Sequence, residues 1–244
     1  MEKYTVKLAG HTVQIESRFE KNRGFFSDYI VPDTTPELVA RVSDDDIDSA
    51  VANVPDISRE TAELTELYRP IAEGMPLLGG FVFHGAAISY DGKGYIFTAP
   101  SGTGKSTHIR LWRKYLGRDV DIINGDKPII TADERGVIVH GTPWSGKERW
   151  QKNVSFPLGG ICLLGRGESC SVSKVDPAEH LPFLMCQTYR SDDGEVMART
   201  MELLDTVLGC VPVYLLHCDI SEDAVRCAFG EMCGRNYDDY RIKE

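Results

Sequence analysis

The sequence predicts an α/β protein in which a mixed β-sheet core follows a small β-rich N-terminal region. Two observations favour this class. Short apolar runs typical of strands recur along the chain, and several are joined by turn residues instead of helices. A glycine-rich segment, Ala99–Thr107, lies between one such run and a helical apolar stripe. We place the boundary between the two parts after residue 57, which gives a β-rich region 1–57 and a domain 58–244.

The N-terminal region opens with two alternating runs, residues 4–8 and 11–15. Alternation of apolar and polar residues is typical of half-buried strands, and Ala9-Gly10 between the runs predicts a hairpin. Prolines and an acidic run, Asp44–Asp46, indicate turns farther on. We interpret the acidic run as a solvated loop, with a metal site as the alternative, since like charges without a partner normally face water.

The next segment predicts a helix and then a β-hairpin. Ser58 is a helix-capping residue ahead of an apolar face, and Pro70 should kink or end that helix. Residues 81–90 read as one apolar strand, and Asp91-Gly92 is a hairpin turn signal. Residues 94–98 form the returning strand. A hairpin, not a crossover helix, therefore delivers the chain to the glycine-rich segment.

The glycine-rich segment Ala99–Thr107 has the form [A/G]-x-x-x-x-G-K-[S/T] of a phosphate-binding loop. Its glycines allow backbone angles that a Cβ would forbid, so that successive N–H groups can surround phosphate oxygens. The lysine would reach the β- and γ-phosphates, and Ser106 would ligate Mg²⁺. A chance match is the alternative. The predicted nucleotide-binding residues are Ser101, Gly102, Thr103, Gly104, Lys105, Ser106 and Thr107.

The rest of the chain predicts further strands and helices around this loop. Apolar residues at helical spacing follow the loop directly, and Gly117 stands where a helix should end. Later strands are expected at residues 120–123, 129–130, 137–140, 160–164, 171–175 and 211–216, and helices at 178–189, at 195–208 and from 221 onward.

Two residues outside the loop are candidate catalytic groups. His84 lies on the strand predicted to pair with the one that enters the loop, so its ring could approach the phosphates. Asp126 follows the strand after the loop helix, where an acid serves Mg²⁺ or acts as a base. The alternatives are a histidine packed on an apolar strand and a turn aspartate beside Gly125. Asp121, within the same strand, is a weaker candidate.

A second loop, residues 141–149, offers further positive charge. Lys147 and Arg149 could neutralise a transferring group, whereas the alternative is a surface loop with Trp144 tucked into the core. Arg190 is a looser candidate for a phosphate contact, with a plain surface arginine as its alternative.

Composition narrows the classes of partner. The net charge of −10 and the absence of a Lys/Arg cluster argue against nucleic acid. The longest apolar runs are too short to cross a bilayer, and the N-terminus has no apolar signal segment. Seven cysteines without a C-x-x-C pair favour reduced thiols over disulfides or zinc. We therefore expect a cytoplasmic protein without a membrane partner.

Together, His84, the hairpin, the Gly104-Lys105-Ser106 loop and the strand ending at Asp126 resemble the C-terminal domain of the HPr kinase/phosphorylase family. The resemblance extends over residues 78–230 and includes the late strand 211–215. It implies a fold similar to phosphoenolpyruvate carboxykinase and ATP on the loop. It also implies that the acceptor is a serine-like hydroxyl. The active site would contain His84, Lys105 and Asp126, and Mg²⁺ would bind to Ser106 and Asp126. Family members are oligomers, which suggests a homo-oligomer.

The sequence departs from that family at two places. The family has two adjacent acids where this chain has Gly125-Asp126, and its metal and HPr-recognition segment has no clear match. The leading hypothesis is a Mg²⁺- and ATP-dependent kinase acting on a hydroxyl of a small molecule, peptide or protein. The alternative is a nucleotide-binding regulatory module without turnover. A carboxykinase-like enzyme is a third interpretation, for which metal ligands cannot be placed.

Overall fold

A computed structural model describes residues 1–242 and shows a mixed α/β protein. A small N-terminal sheet contains β1 (Glu2–Leu8) and β2 (His11–Ser17), which pair antiparallel as the alternation predicts. A short third strand, β3 (Leu38–Ala40), pairs parallel to β2 and was not predicted. The expected β-rich start of the chain is thus confirmed.

Four helices follow β1 and β2, and one of them contains the acidic run that was predicted to be a loop. They are α1 (Asn22–Phe25), α2 (Asp44–Asn53), α3 (Arg59–Glu66) and α4 (Tyr68–Gly74). The acidic run 44–46 is the first turn of α2, not a loop. Ser43 and Asp46 form a reciprocal capping box there, and negative charge is favourable at a helix N-terminus. Pro70 cannot donate to the carbonyl four residues earlier, and α3 ends at that residue, Glu66.

The main sheet follows the N-terminal part and is mixed. Its strand order within residues 1–242 is β4-β8-β9-β10-β6-β5-β7, with β12 on β10 and β11 on β12. The long strand β10 pairs antiparallel with β9 through its first residues and parallel with β6 and β12 through its later ones, so the sheet curls around it. The strands are β4 (Gly80–Val82), β5 (Ala86–Tyr90), β6 (Lys93–Thr98), β7 (Val120–Asn124), β8 (Ile129–Asp133), β9 (Gly136–His140), β10 (Ser155–Arg166), β11 (Ser171–Val175) and β12 (Val213–Cys218).

A tight hairpin joins β5 and β6 at Asp91-Gly92, as predicted. The predicted single strand 81–90 is wrong, because it is divided into β4 and β5 by residues 83–85. β4 pairs with β8, whereas β5 pairs with β6 and β7. His84 therefore lies in the break between two strands, not on the strand that pairs with β6.

The later helices pack on this sheet. They are α5 (Lys105–Leu116), α6 (Leu181–Met185), α7 (Gly194–Cys210) and α8 (Glu222–Cys233). The predicted helix 178–189 is wrong: a 3-10 turn, Pro177–His180, precedes the short α6. Pro182 has no N–H for a helical bond, so a continuous helix cannot pass from one to the other.

Three apolar clusters form the core. One joins α5 and α8 to the strands beside them, and a second fills the space between α7 and the main sheet. The third contains Val6 and Ile15 from the first 57 residues together with Leu67, Ile71 and Val82. The division at residue 57 thus runs through a shared cluster, and the two-part organisation stays a prediction.

All seven cysteines are free thiols, consistent with the reduced state expected from the sequence. In the part of the chain that the structure describes, no helix has both the length and the apolar character that a bilayer crossing requires.

Candidate functional site

The glycine-rich loop connects the end of β6 to the start of α5. Gly102 and Gly104 have φ values of 78° and 120°, in the region that residues with a Cβ rarely adopt. Gly104 is the N-cap of α5, so the first N–H groups of the helix lack intrahelical partners beside the loop. Such a helix start attracts anions. The local backbone has the form that a phosphate-binding loop requires, and the assignment itself stays a prediction.

Lys105, the first residue of α5, is turned inward. Its side chain is 8% exposed, and its Nζ donates to the carbonyl of Ala99, 2.9 Å away, at the opposite end of the loop. Burial lowers the pKa of the ammonium, and the carboxylate of Asp126 opposes that shift. The lysine thus lies inside the loop and close enough to Asp126 to be affected by its charge.

His84 and Asp126 are neighbours in the structure. The Nε2 atom of His84 lies 3.3 Å from Oδ1 of Asp126. The other ring nitrogen, Nδ1, lies 3.2 Å from Oε1 of Gln187. Both nitrogens therefore face oxygen atoms, and the ring is oriented from two sides. Both His84 and Asp126 are about 30% exposed, so solutes can reach them.

Backbone contacts fix this pair beside the loop. The N–H of Gly85 donates to the carbonyl of Asp126, and the hydroxyl of Thr98, at the end of β6, donates to the carbonyl of His84. A Cβ on Gly85 would lie 2.6 Å from the side chain of Ile96 in β6, so only glycine allows this approach. The side chain of Asn124 accepts from the N–H groups of Asp126 and Lys127, which shapes the turn after β7.

Asp126 is held in its charged form. Burial raises the pKa of its carboxyl group. The hydrogen bond from His84 and the charges of Lys127 and Lys105 together lower that pKa by more than burial raises it. The net pKa lies below the ordinary value for an aspartate. The group is therefore a carboxylate at neutral pH, able to accept a proton or to bind a cation.

Asp126 lines a pocket of about 600 Å³, which we call the Trp144 pocket. The wall opposite comes from the N-terminal part of the chain, and the second loop, residues 141–149, forms the rest. Its aromatic residues are Phe25, Tyr68 and Trp144, and the Trp144 ring packs edge-on against both others with centroids 5.7 Å apart. Lys127 and Arg149 supply its positive charge.

A second pocket, of about 430 Å³, lies directly against the glycine-rich loop, and we call it the loop pocket. Gly102–Gly104 form one side of it. The ends of β10 and β12 form the other, with Arg166 donating to the carbonyl of Gly102 at 3.2 Å. His108 lines its floor, and burial lowers the pKa of this ring to about 3, so it is neutral.

Several predicted residues lie away from this centre. Arg190 is exposed and lines neither the Trp144 pocket nor the loop pocket, and the same holds for Lys147. Asp121, the weaker candidate base, makes a surface ion pair with Lys152 at 2.6 Å. Glu148, a further acid in the second loop, pairs with Arg110 at 3.4 Å. Of the second loop, only Arg149 and the residues around Trp144 reach a pocket.

Sequence reasoning missed other members of the site. Gln187, which orients His84, follows α6 and carried no motif that would have indicated it. Lys127 adjoins Asp126 in the chain and could have been included on that basis, and its Nζ lies 3.9 Å from Oδ2 of Asp126. Arg166 at the end of β10 donates to a backbone carbonyl of the loop, and a contact to the backbone leaves no pattern in the sequence.

Comparisons with known proteins give distant structural similarity only. No family model matches the chain, and no curated protein matches it. Among solved structures, the chain is similar to the Hpr(Ser) kinase/phosphatase from Coxiella burnetii, with a TM-score of 0.36 and 15% sequence identity. That alignment covers 65% of this chain and 94% of the other. The relationship is too distant to assign an activity.

Proposed function

We propose that the protein is a Mg²⁺-dependent kinase that transfers the γ-phosphoryl group of ATP to a hydroxyl group of an acceptor. One observation carries the proposal: the ionised carboxylate of Asp126 lines a pocket and is close enough to Lys105, in the predicted phosphate-binding loop, for the two charges to interact. Phosphoryl transfer requires this set, namely a cradle for the donor, an anionic group for the acceptor and a cavity between them.

The chemistry follows from those positions. The acceptor oxygen attacks the γ-phosphorus and forms the new O–P bond. The bond from that phosphorus to the β–γ bridging oxygen breaks, and its electron pair leaves on ADP. The proton of the hydroxyl passes to the carboxylate of Asp126. Lys105 and the N–H groups of the loop stabilise the charge on the phosphoryl oxygens.

The residues present suit a magnesium ion. Mg²⁺ is usually held by one or two protein oxygens plus substrate phosphates. Ser106, which has no side-chain hydrogen bond within residues 1–242, and the ionised Asp126 supply such oxygens. When bound, the ion would neutralise charge on the phosphates. His84 maintains the orientation and the ionised state of Asp126.

A nucleotide-binding regulator without turnover is the second candidate. It is favoured by the lone acid in the Gly125-Asp126 turn. Within the described residues, no group of three or more His, Cys, Asp or Glu side chains is arranged to hold a metal ion. Such a protein would keep the loop pocket and lack transfer.

One experiment separates the two candidates. The full chain is incubated with γ-labelled ATP, Mg²⁺ and a panel of hydroxyl acceptors that includes free serine and the HPr protein. We expect label to move to at least one acceptor and the movement to require Mg²⁺. Tight ATP binding, measured by calorimetry, without transfer to any acceptor would instead support the regulator.

A further inference from the structure

The Trp144 pocket differs chemically from the loop pocket beside it. Its floor is apolar, because the rings of Phe25, Tyr68 and Trp144 meet there. Its volume of about 600 Å³ lies within the ~300–1,000 Å³ typical of small-molecule sites. An apolar or aromatic group of a ligand fits such a floor, since aromatic side chains contribute large contact areas.

The charged residues that line the pocket are Asp126, Lys127 and Arg149, so positive charge is in excess there. Arg149 is exposed, and within residues 1–242 its side chain has no ion-pair or hydrogen-bond partner. Lys127 already contacts Asp126 at 3.9 Å and lies over the ring of Tyr68, 5.3 Å from its centroid. Arg149 is therefore the cation free to bind an anionic group, and arginine is well suited to carboxylates.

The backbone reinforces this assignment. Arg149 has a φ of 53°, a left-handed conformation that non-glycine residues rarely adopt. Its N–H donates to the carbonyl of Gly146, closing a turn above Asp126. A Cβ on Gly146 would lie 3.1 Å from the Cβ of Asp126, so the turn holds its residues directly over the proposed base. A residue in such a conformation is held by its surroundings, often at a ligand site.

From these three features we propose that the acceptor is a small hydroxy acid with an apolar body. The apolar body lies on the Phe25–Tyr68–Trp144 floor, its carboxylate pairs with Arg149, and its hydroxyl points at Asp126. This inference rests on the proposed kinase function for the transfer step, but the binding step stands without it. The volume of the pocket and its aromatic residues favour a small molecule over the side chain of a folded protein.

Binding is tested first, in the absence of ATP, with probes that lack a hydroxyl group. Calorimetry compares 3-phenylpropanoate, its neutral isostere 3-phenylpropanamide, and propanoate, which lacks the ring. We expect 3-phenylpropanoate to bind at least about tenfold more tightly than either, because removal of one charged hydrogen bond or of one buried ring costs that much. Equal binding of all three, or no binding of any, overturns the proposal.

Two variants in the same loop place the charge. Arg149→Gln removes the cation in the pocket, and Lys147→Gln removes an exposed cation two residues away that lines neither pocket. We expect Arg149→Gln to weaken 3-phenylpropanoate about tenfold and to leave 3-phenylpropanamide unchanged. Lys147→Gln should change neither. An equal effect of the two variants would show general electrostatics in place of a specific contact.

Transfer is tested separately with 3-phenyllactate, which adds a hydroxyl to the same body. Labelled ATP should phosphorylate it, and lactate should be a poor acceptor. Binding of 3-phenylpropanoate without transfer to 3-phenyllactate or to any other acceptor would support the site and overturn the kinase function. Transfer to serine or HPr that Arg149→Gln does not alter would support the kinase function and overturn the site.

Discussion

At the scale of single residues, the charged side chains of the candidate site are each positioned by a contact with a neighbouring residue. Lys105 donates to the carbonyl of Ala99, and Asp126 is oriented by His84. Each contact keeps a charged side chain in place by means of a neighbour. Variants of these residues therefore test separate steps, donor binding in one case and proton transfer in the other.

Lys105→Ala should weaken ATP binding by about tenfold or more, because charge-assisted contacts to phosphate are among the stronger hydrogen bonds. Calorimetry with ATP and Mg²⁺ measures the affinity, and far-UV circular dichroism checks the fold. Lys114→Ala, in the last turn of the same helix, serves as the control. Unchanged affinity and unchanged turnover in Lys105→Ala would refute the phosphate-loop assignment.

Asp126→Asn should lower transfer by about 100-fold or more, the range typical of a lost general base, and should leave the affinity for ATP measured without Mg²⁺ nearly unchanged. Asparagine has the same size and suits turns, so the fold should survive. Steady-state transfer and calorimetry on the same preparation measure both effects. Near-normal turnover would leave Asp126 as a turn residue and exclude it as the base.

At the scale of secondary-structure elements, the predictions succeeded where the signal was local. The β5–β6 hairpin is confirmed because Asp91-Gly92 and the apolar runs beside it lie close together in the chain. The Ser43–Asp46 capping box was also visible as a short motif, and reading it would have predicted α2 in place of a loop.

The break at residues 83–85 could not be read in the same way. Both halves of the run are apolar and buried, so it resembles one strand. The chain leaves the sheet there because His84 hydrogen-bonds to Gln187 and Phe83 to Pro128, residues distant in sequence. That His84 lies beside Asp126 was implied only by the family resemblance. The Trp144 pocket depends on packing between segments distant in sequence, and it was not predicted.

His140 joins three strands of the main sheet and makes stability sensitive to pH. Its ring contacts Thr131 of β8 at 2.9 Å and Ser155 of β10 at 2.7 Å. Burial lowers its pKa to about 4, with a smaller contribution from His11. The unfolded chain binds the proton near pH 6.5, so stability is fully present above that pH and is lost as pH falls toward 4.

Between pH 7.5 and pH 5.0, His140 should therefore reduce the free energy of unfolding by about 2 kcal/mol. The neutral variant His140→Gln should lose that part of the pH dependence, although it is less stable at pH 7.5. Urea unfolding at the two pH values measures both proteins, and His180→Gln, in the 3-10 turn without buried residues, is the control. An identical pH dependence in wild type and His140→Gln would contradict the assignment.

At the scale of the whole molecule, one apolar cluster of the core contains residues from both sides of the predicted division at residue 57. Val6 and Ile15 share a cluster with Ile71 and Ile129, and this cluster backs the Trp144 pocket. Side chains in one cluster lose their burial together. The N-terminal region and the rest of the chain are therefore expected to be stable only as a unit.

We accordingly expect one cooperative unfolding transition. Trp112 lies in the cluster around α5, and Trp144 packs against the cluster shared with the N-terminal region. Two variants, each with one of these tryptophans replaced by phenylalanine and with Trp150→Phe in both, report on the two clusters by fluorescence. For each variant, the urea midpoint measured by fluorescence should coincide with the midpoint measured by circular dichroism on the same variant. Two separated transitions would show that the two parts unfold independently.

The division of labour between the two pockets has a consequence for how such a protein can diversify. In the proposed kinase, the donor binds at the glycine-rich loop and the strand ends around it, whereas residues of α1 and α3 form one wall of the pocket assigned to the acceptor. Under that proposal, mutations at Phe25, Thr61 or Thr65, which line the Trp144 pocket and not the loop pocket, should change acceptor recognition without changing ATP binding. Relatives that share the donor half are expected to differ in their choice of acceptor, and exchange of these wall residues is a direct route to a new specificity.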